Sequence, residues 1–112
     1  MGKMQTYKFN NIVFDSSWEL AVWIYHVDHH IDIERQPIQL HYEMNGSMHM
    51  YLPDFAIDGK LVEVKGDQMF DKAGNPIFDN KHPWKEKYQC MIDNNVIIWR
   101  YRNVKPFLDY VS

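Results

Sequence analysis

Asp54, Glu63 and Lys65 are the residues of this chain whose types and spacing point to chemistry. They lie in the stretch 51–66, YLPDFAIDGKLVEVKG. Asp58-Gly59 between two apolar runs predicts a β-hairpin, because a type I′ turn needs φ > 0 at both central residues. That turn sets a register in which Ile57 faces Lys60, Ala56 faces Leu61, Phe55 faces Val62 and Asp54 faces Glu63. Directly opposed residues share one face of the pair, with Cβ atoms roughly 5 Å apart. Two carboxylates so placed repel each other unless a cation lies between them. A hard divalent cation, taking oxygen ligands from one or two carboxylates and a substrate phosphate, is the natural occupant. Lys65 is two residues beyond Glu63 and so on the same face, while Val62 and Val64 point the other way into a core. A metal beside an ammonium suits hydrolysis of a phosphodiester. The plain alternative is a solvated hairpin face with a Glu–Lys pair and an unrelated Asp.

The flanking elements must position that hairpin. Asp15-Ser16-Ser17 predicts a helix start, with the helix running over 17–30. Trp18, Ala21, Val22 and Tyr25 form its buried stripe, and Glu19, Trp23, His26 and His30 an adjacent one. Ser16 and Glu19 have capping-box spacing, in which the carboxylate bonds back to the cap's own N–H. His26, His29 and His30 have spacing for a shared metal, but no acidic or Cys partner completes a zinc motif. They read better as a polar helix end.

Residues 33–43 alternate as one strand, with Pro37 at an edge or bulge. A turn at 44–47 leads to a strand over 48–57. The excursion 66–83 turns at Gly74-Asn75-Pro76. Phe70 and Phe78 either project from it toward DNA or a second subunit, or pack on the body. A second helix over 83–94 carries the apolar stripe Trp84, Tyr88, Met91 and Ile92. Residues 96–101 form a buried β-prone strand, and 104–111 a terminal turn or short helix. The helix between two strands makes a right-handed crossover and a parallel pair. The expected architecture is α/β, an αβββαβ core with a mixed four-stranded sheet flanked by helices.

The chain has 112 residues, expected to form one domain spanning 1–112. Its 46% hydrophobic content and its many aromatics argue against disorder. One cysteine excludes a disulfide framework and a Cys-rich zinc site, and fits a reducing, cytoplasmic setting. No signal peptide and no membrane-spanning run is expected. Met1-Gly2 with Thr6 matches a myristoylation pattern by chance. The net charge of −3 is divided unevenly: residues 1–59 carry −5 and residues 60–112 carry +2. Modest non-specific affinity for nucleic acid with a shallow salt dependence is expected.

Pro53-Asp54 followed by Glu63-Val64-Lys65 resembles the PD-(D/E)XK nuclease superfamily, which has a restriction-endonuclease-like fold. The resemblance spans roughly residues 14–101 and is strongest to small phage junction-resolving and transposon-type endonucleases. It implies a divalent-metal-dependent DNA endonuclease using Mg²⁺ or Mn²⁺. Asp54, Glu63 and the Val64 carbonyl would bind the metal, and Lys65 would serve catalysis. Glu19, on the first helix upstream of the Pro-Asp, would be a third carboxylate at the site. The Arg35-Gln36-Pro37 run is similar to what precedes the Pro-Asp strand in transposon endonuclease subunits. Lys85 and Gln89 on the second helix correspond loosely to a phosphate-binding position, with Lys81 and Lys87 adding DNA-binding charge. The expected partners are DNA and a second copy of the chain, with no membrane and no small-molecule cofactor. A non-catalytic DNA-binding or assembly module on a nuclease-like fold is the alternative.

Overall fold

The structure is a computed structural model that describes residues 7–9 and 12–112. Two short strands open it, β1 (Tyr7–Phe9) and β2 (Ile12–Phe14), paired antiparallel where the sequence suggested only an apolar lead-in. The myristoylation pattern lies outside the described residues. Helix α1 (Ser17–Asp28) starts where expected, with Ser16 as its cap. It stops two residues early. His30 takes φ 56°, and the Ile31 and His30 N–H groups bond back to the carbonyls of His26 and Val27. This is a Schellman ending, with His in the left-handed position usually held by Gly or Asn.

The predicted strand over 33–43 is two strands, β3 (Ile33–Arg35) and β4 (Leu40–Met44). Its partner also divides, into β5 (Ser47–Tyr51) and β6 (Phe55–Ile57). Pairing runs from Leu40↔Tyr51 to Met44↔Ser47 and separately from Ile33↔Ile57 to Arg35↔Phe55. Between the two ladders lie residues 36–39 on one side and 52–54 on the other. The unequal lengths, a Gln36 φ of 48° and the missing N–H of Pro37 and Pro53 stop the ladder here. Asp54 sits in this break, anchored where its carbonyl accepts the Gln36 N–H at 2.9 Å.

Strand β7 (Lys60–Val64) pairs with β6 in the predicted register, Phe55↔Val62, Ala56↔Leu61 and Ile57↔Lys60. Asp58 and Gly59 hold φ of 49° and 78°, as the turn requires. Helix α2 (Lys85–Asp93) ends in a second Schellman arrangement with Asn95 at φ 57°. It leads to β8 (Ile97–Trp99), which pairs parallel to β7 with Val62↔Ile97 and Val64↔Trp99. The protein is therefore a mixed α/β structure whose main sheet runs β3-β6-β7-β8, three pairings with one parallel. β8 is the edge of that sheet, and Ile97 is 41% exposed, so the strand predicted as buried is only half covered. Helix α3 (Tyr101–Val111) closes the chain, longer than the predicted terminal turn.

Alternation along the hairpin divides the core in two. Phe55, Ile57, Val62 and Val64 face α1 and α3, packing with Phe14, Val22 and Val104. Leu61 and Ile98 face the other way, toward Tyr51, Trp84, Cys90 and Met91 under α2 and the β4–β5 hairpin. Phe55 is fully buried; truncating it to Ala costs about 3–5 kcal/mol. Glu63 and Lys65 share the face of Leu61. The sheet thus places a carboxylate and an ammonium beneath α2 while two apolar layers hold their strand in register.

Candidate active site

The hairpin brings Asp54 and Glu63 together as its turn dictates. Asp54 Oδ2 accepts the Val64 N–H at 2.7 Å, and the Asp54 N–H donates to Glu63 Oε1 at 3.3 Å. These crossed bonds continue the β6–β7 ladder one pair further, with side chains replacing backbone groups. Glu63 is 5% exposed. Its Oε1 also accepts a 2.7 Å hydrogen bond from the Tyr51 hydroxyl, and its Oε2 lies 3.5 Å from Lys65 Nζ. Lys65 Nζ stands 5.4 Å above the Trp84 ring, a cation–π contact that fixes the ammonium over the first turn of α2. Tyr51 and Trp84 were not foreseen as site residues. Tyr51 reaches Glu63 from the last residue of β5, across the break that precedes β6.

Glu19 accepts from the Ser16 hydroxyl at 3.3 Å while Ser16 Oγ accepts the Glu19 N–H at 3.2 Å. The expected bond from Glu19 to the cap's own N–H is replaced by one to the hydroxyl. The carboxylate lines a groove of about 600 Å³, together with Asp15, Val64, Lys65, Gly66 and Gln68 among others. Asp54 and Glu63 do not line the groove; Val64, whose N–H bonds to Asp54, and Lys65, 3.5 Å from Glu63, do. The Gln68 amide folds over Gly66, in space that a Cβ would fill.

The charges report on one another. Burial, then Glu63 and Glu19, push the Asp54 carboxyl up to about 8, against the opposing pull of the Val64 N–H and Lys65. Burial, Asp15 and Glu63 raise Glu19 to about 7, opposed by the Ser16 hydrogen bond and Arg35. Tyr51 is pushed well above the usual phenol range by burial and by Glu63, so it remains a donor. Burial and Lys65 lower Lys87, partly offset by Glu63 and Asp54. Glu19 and Lys87 therefore belong to the same electrostatic cluster as Asp54, Glu63 and Lys65.

Lys87 Nζ lies 5.1 Å from the Tyr51 ring centroid. Of the four DNA-binding residues expected from sequence, it alone joins the cluster. Gln89 Nε2 donates to Asp93 Oδ1 at 2.9 Å beside a cleft that Glu43 and Glu86 also line, acidic surroundings unsuited to phosphate. Lys85 and Lys81 are exposed and make no side-chain ion pair among the described residues. α2 turns a different face to the core from the predicted one. Ile92 is 46% exposed and Cys90 is buried instead, which turns Lys87 inward and Lys85 outward.

His26 and His29 are held by the backbone of their own helix. His26 is buried, its Nδ1 2.7 Å from the Val22 carbonyl and its ring against Trp99 and Phe107. His29 Nδ1 bonds to the Tyr25 carbonyl, and His30 lies past the helix end, so the spacing for a shared metal does not survive. In the 66–83 excursion, Phe70 and Phe78 both pack edge-on against Trp84, whose Nε1 donates to the Ile77 carbonyl. They cover the body rather than project.

Among the described residues, no three His, Cys, Asp or Glu side chains form a group able to hold a metal alone. The donors present still fit a hard cation of the Mg²⁺ type, which commonly takes one or two carboxylates and leaves its other positions to water and substrate phosphate. Asp54 Oδ1 receives no hydrogen bond among the described residues, and Glu63 Oε2 meets only Lys65. Both carboxylates are held rigidly by their other oxygens. Among the described residues, no helix is long and apolar enough to cross a membrane. Comparison with family models, with curated proteins and with solved structures gives no match for this chain, so a reading of its chemistry rests on the site itself.

Proposed function

We propose that this chain is a divalent-metal-dependent DNA endonuclease of the PD-(D/E)XK type, with a restriction-endonuclease-like core. One observation carries the reading: Asp54 and Glu63 are locked side by side at the open end of a hairpin, with the Lys65 ammonium 3.5 Å from Glu63. The α1, β3, β6, β7, α2, β8 order supports it. Asp54 and Glu63 would hold Mg²⁺ or Mn²⁺, with the Val64 carbonyl as a further ligand by resemblance. Such an ion, when bound, polarises a phosphodiester and lowers the pKa of a coordinated water.

The chain's own groups do the rest. Lys65, braced by Trp84, presents positive charge where a phosphate's developing negative charge would lie. Lys87 adds a second ammonium from α2. Tyr51 holds Glu63 in one orientation. Glu19, which lines the groove, would meet a second ion or a water. Because one such site cuts one strand, cutting both strands or resolving a junction calls for two copies of the chain.

The test is incubation with supercoiled, linear and four-way-junction DNA in Mg²⁺, Mn²⁺ or EDTA, with Glu63→Ala alongside. Metal-dependent cutting that the variant lacks is the expected result, and the preferred substrate names the role. A folded protein that binds DNA in Ca²⁺ but cuts none of these forms overturns the enzyme reading in favour of a non-catalytic module. Absence of both cutting and binding overturns the nucleic-acid reading.

A further inference from the structure

A chain of net charge −3 gathers three cations around one small cavity. Lys72, Arg100 and Arg102 line a space of about 320 Å³ together with Gly74 and Tyr101, and its one acidic lining residue is Asp67. Asp67 is already engaged, its Oδ1 2.9 Å from Arg100 Nε. The Arg100 guanidinium also lies 4.4 Å from the Phe70 ring centroid, so it is fixed on two sides. Gly74, at φ 88°, turns the loop close against it: a Cβ there would come 3.8 Å from Arg100 Nη1. Lys72 and Arg102 are exposed and form no ion pair among the described residues. Asp67 offsets one of the three positive charges, and the remaining two repel unless a further anion lies among them. The amino end of α3 adds nothing decisive, since the Arg100 N–H is taken by Asn103 Oδ1 at 2.9 Å.

The cavity adjoins the candidate active site. The Lys65 N–H donates to the Trp99 carbonyl at 2.9 Å, extending the β7–β8 pairing past Val64↔Trp99. Arg100 therefore stands one strand over from Lys65, at the roughly 4.8 Å spacing of paired strands. The turn at 66–69 is the shared wall: Gly66, Gln68 and Met69 line the groove, and Asp67 lines the cavity. Across it, Trp18 of the groove packs on Tyr101 of the cavity with ring centroids 5.7 Å apart. Phosphates along one DNA strand rise about 3.4 Å each, so a strand with one phosphate in the groove carries its neighbours past this wall.

We propose that Lys72, Arg100 and Arg102 form a subsite for a non-scissile phosphate of the DNA strand being cut, next to the groove that holds Glu19 and Lys65. The proposal rests on the nuclease reading of that groove. It accounts for how an acidic protein would hold a polyanion: the cations are few, but they lie beside the site across the turn at 66–69.

The test is fluorescence anisotropy with a labelled duplex of about 20 base pairs, in Ca²⁺ and over a range of KCl concentrations. The Lys72→Ala/Arg102→Ala double variant removes two exposed side chains and so should fold, which far-UV circular dichroism checks. It is expected to bind about tenfold more weakly, with the slope of log K against log salt reduced by about 1 to 2. Asp67→Asn, which keeps an acceptor for Arg100 Nε and removes the one negative charge, is expected to bind more tightly. Lys105→Ala is the control and is expected to leave binding unchanged, because Lys105 Nζ is paired with Asp109 at 2.8 Å. If the wild type binds and cuts DNA while the double variant keeps its affinity and slope, the subsite is overturned and the nuclease reading stands. If the wild type has no affinity for duplex or junction DNA, both fall.

Discussion

The Tyr51 hydroxyl donates a 2.7 Å hydrogen bond to Glu63 Oε1, and both residues are buried. A buried carboxylate with one oxygen held by a phenol and by the Asp54 N–H can turn only its other oxygen toward a ligand. Partners of this kind orient metal-binding groups, and losing one typically lowers metal affinity 10- to 100-fold. Tyr51→Phe keeps the ring and deletes the donor. We expect the Mg²⁺ concentration for half-maximal cleavage to rise by about that factor, and stability to fall by about 1–2 kcal/mol. Magnesium titration of cleavage and urea unfolding measure the two. An unchanged magnesium requirement would assign the hydroxyl to packing alone.

Asp54 and Glu19 make the metal-free fold sensitive to pH. Their carboxyls lie at about 8 and about 7 in the folded protein, against ordinary values of 3.8 and 4.5. The folded state then holds more protons than the unfolded chain across this window, and stability falls as pH rises through it. In EDTA we expect the melting temperature to drop between pH 5 and pH 8. A divalent ion neutralises the cluster, so Ca²⁺ should raise the melting temperature more at pH 8 than at pH 5. A metal-free melting temperature that climbs over this range would contradict the charge balance drawn for the site.

Asp54→Asn separates function from stability. The amide oxygen can still accept the Val64 N–H, which Asp54 Oδ2 now takes at 2.7 Å, while the charge that Glu63 and Glu19 oppose disappears. We expect the variant in EDTA at pH 8 to melt above the wild type and to cut no DNA. A variant that is both less stable and inactive would mean that the carboxylate, despite its like-charged neighbours, holds the hairpin together.

The parts of this fold that could be read in advance are those set by a short, local requirement. Asp58-Gly59 admits essentially one hairpin geometry, so the pairing of Phe55 with Val62 follows, and with it the meeting of Asp54 and Glu63. Ser16 and Asn95 end their helices in ways their side chains favour. His30 is a weaker signal: His tolerates the left-handed region better than most residues but marks a helix end far less often than Gly or Asn. The division of two long strands at 36–39 and 52–54 is half visible, in Pro37 and Pro53. The positive φ of Gln36 and the unequal spans come from tertiary packing. Tyr51 and Trp84 join the site only because β5 crosses toward β7 and α2 lies over Lys65, contacts between segments far apart in the chain. The face α2 turns to the core is the same kind of fact, and it decides that Lys87 rather than Lys85 lies inward.

That exchange gives the sharpest test of the geometry. Lys85 and Lys87 carry the same charge two residues apart, so any effect of overall electrostatics falls on both alike. Only Lys87 is turned inward, its Nζ 5.1 Å from the Tyr51 ring centroid and its ionisation lowered by burial and by Lys65, with Glu63 and Asp54 opposing. A positioned cation stabilising charge in a water-poor site is worth far more than one in solvent. Lys87→Ala should therefore slow single-turnover cleavage at saturating DNA by about 10- to 100-fold, and Lys85→Ala should change it by less than about twofold, as expected for a solvated charge. Lys87→Arg should recover part of the rate if charge is what matters, because the cation–π contact with Tyr51 suits a guanidinium as well. Equal losses in the two alanine variants would mean that α2 contributes charge to DNA attraction without placing it, and Lys87 would leave the site.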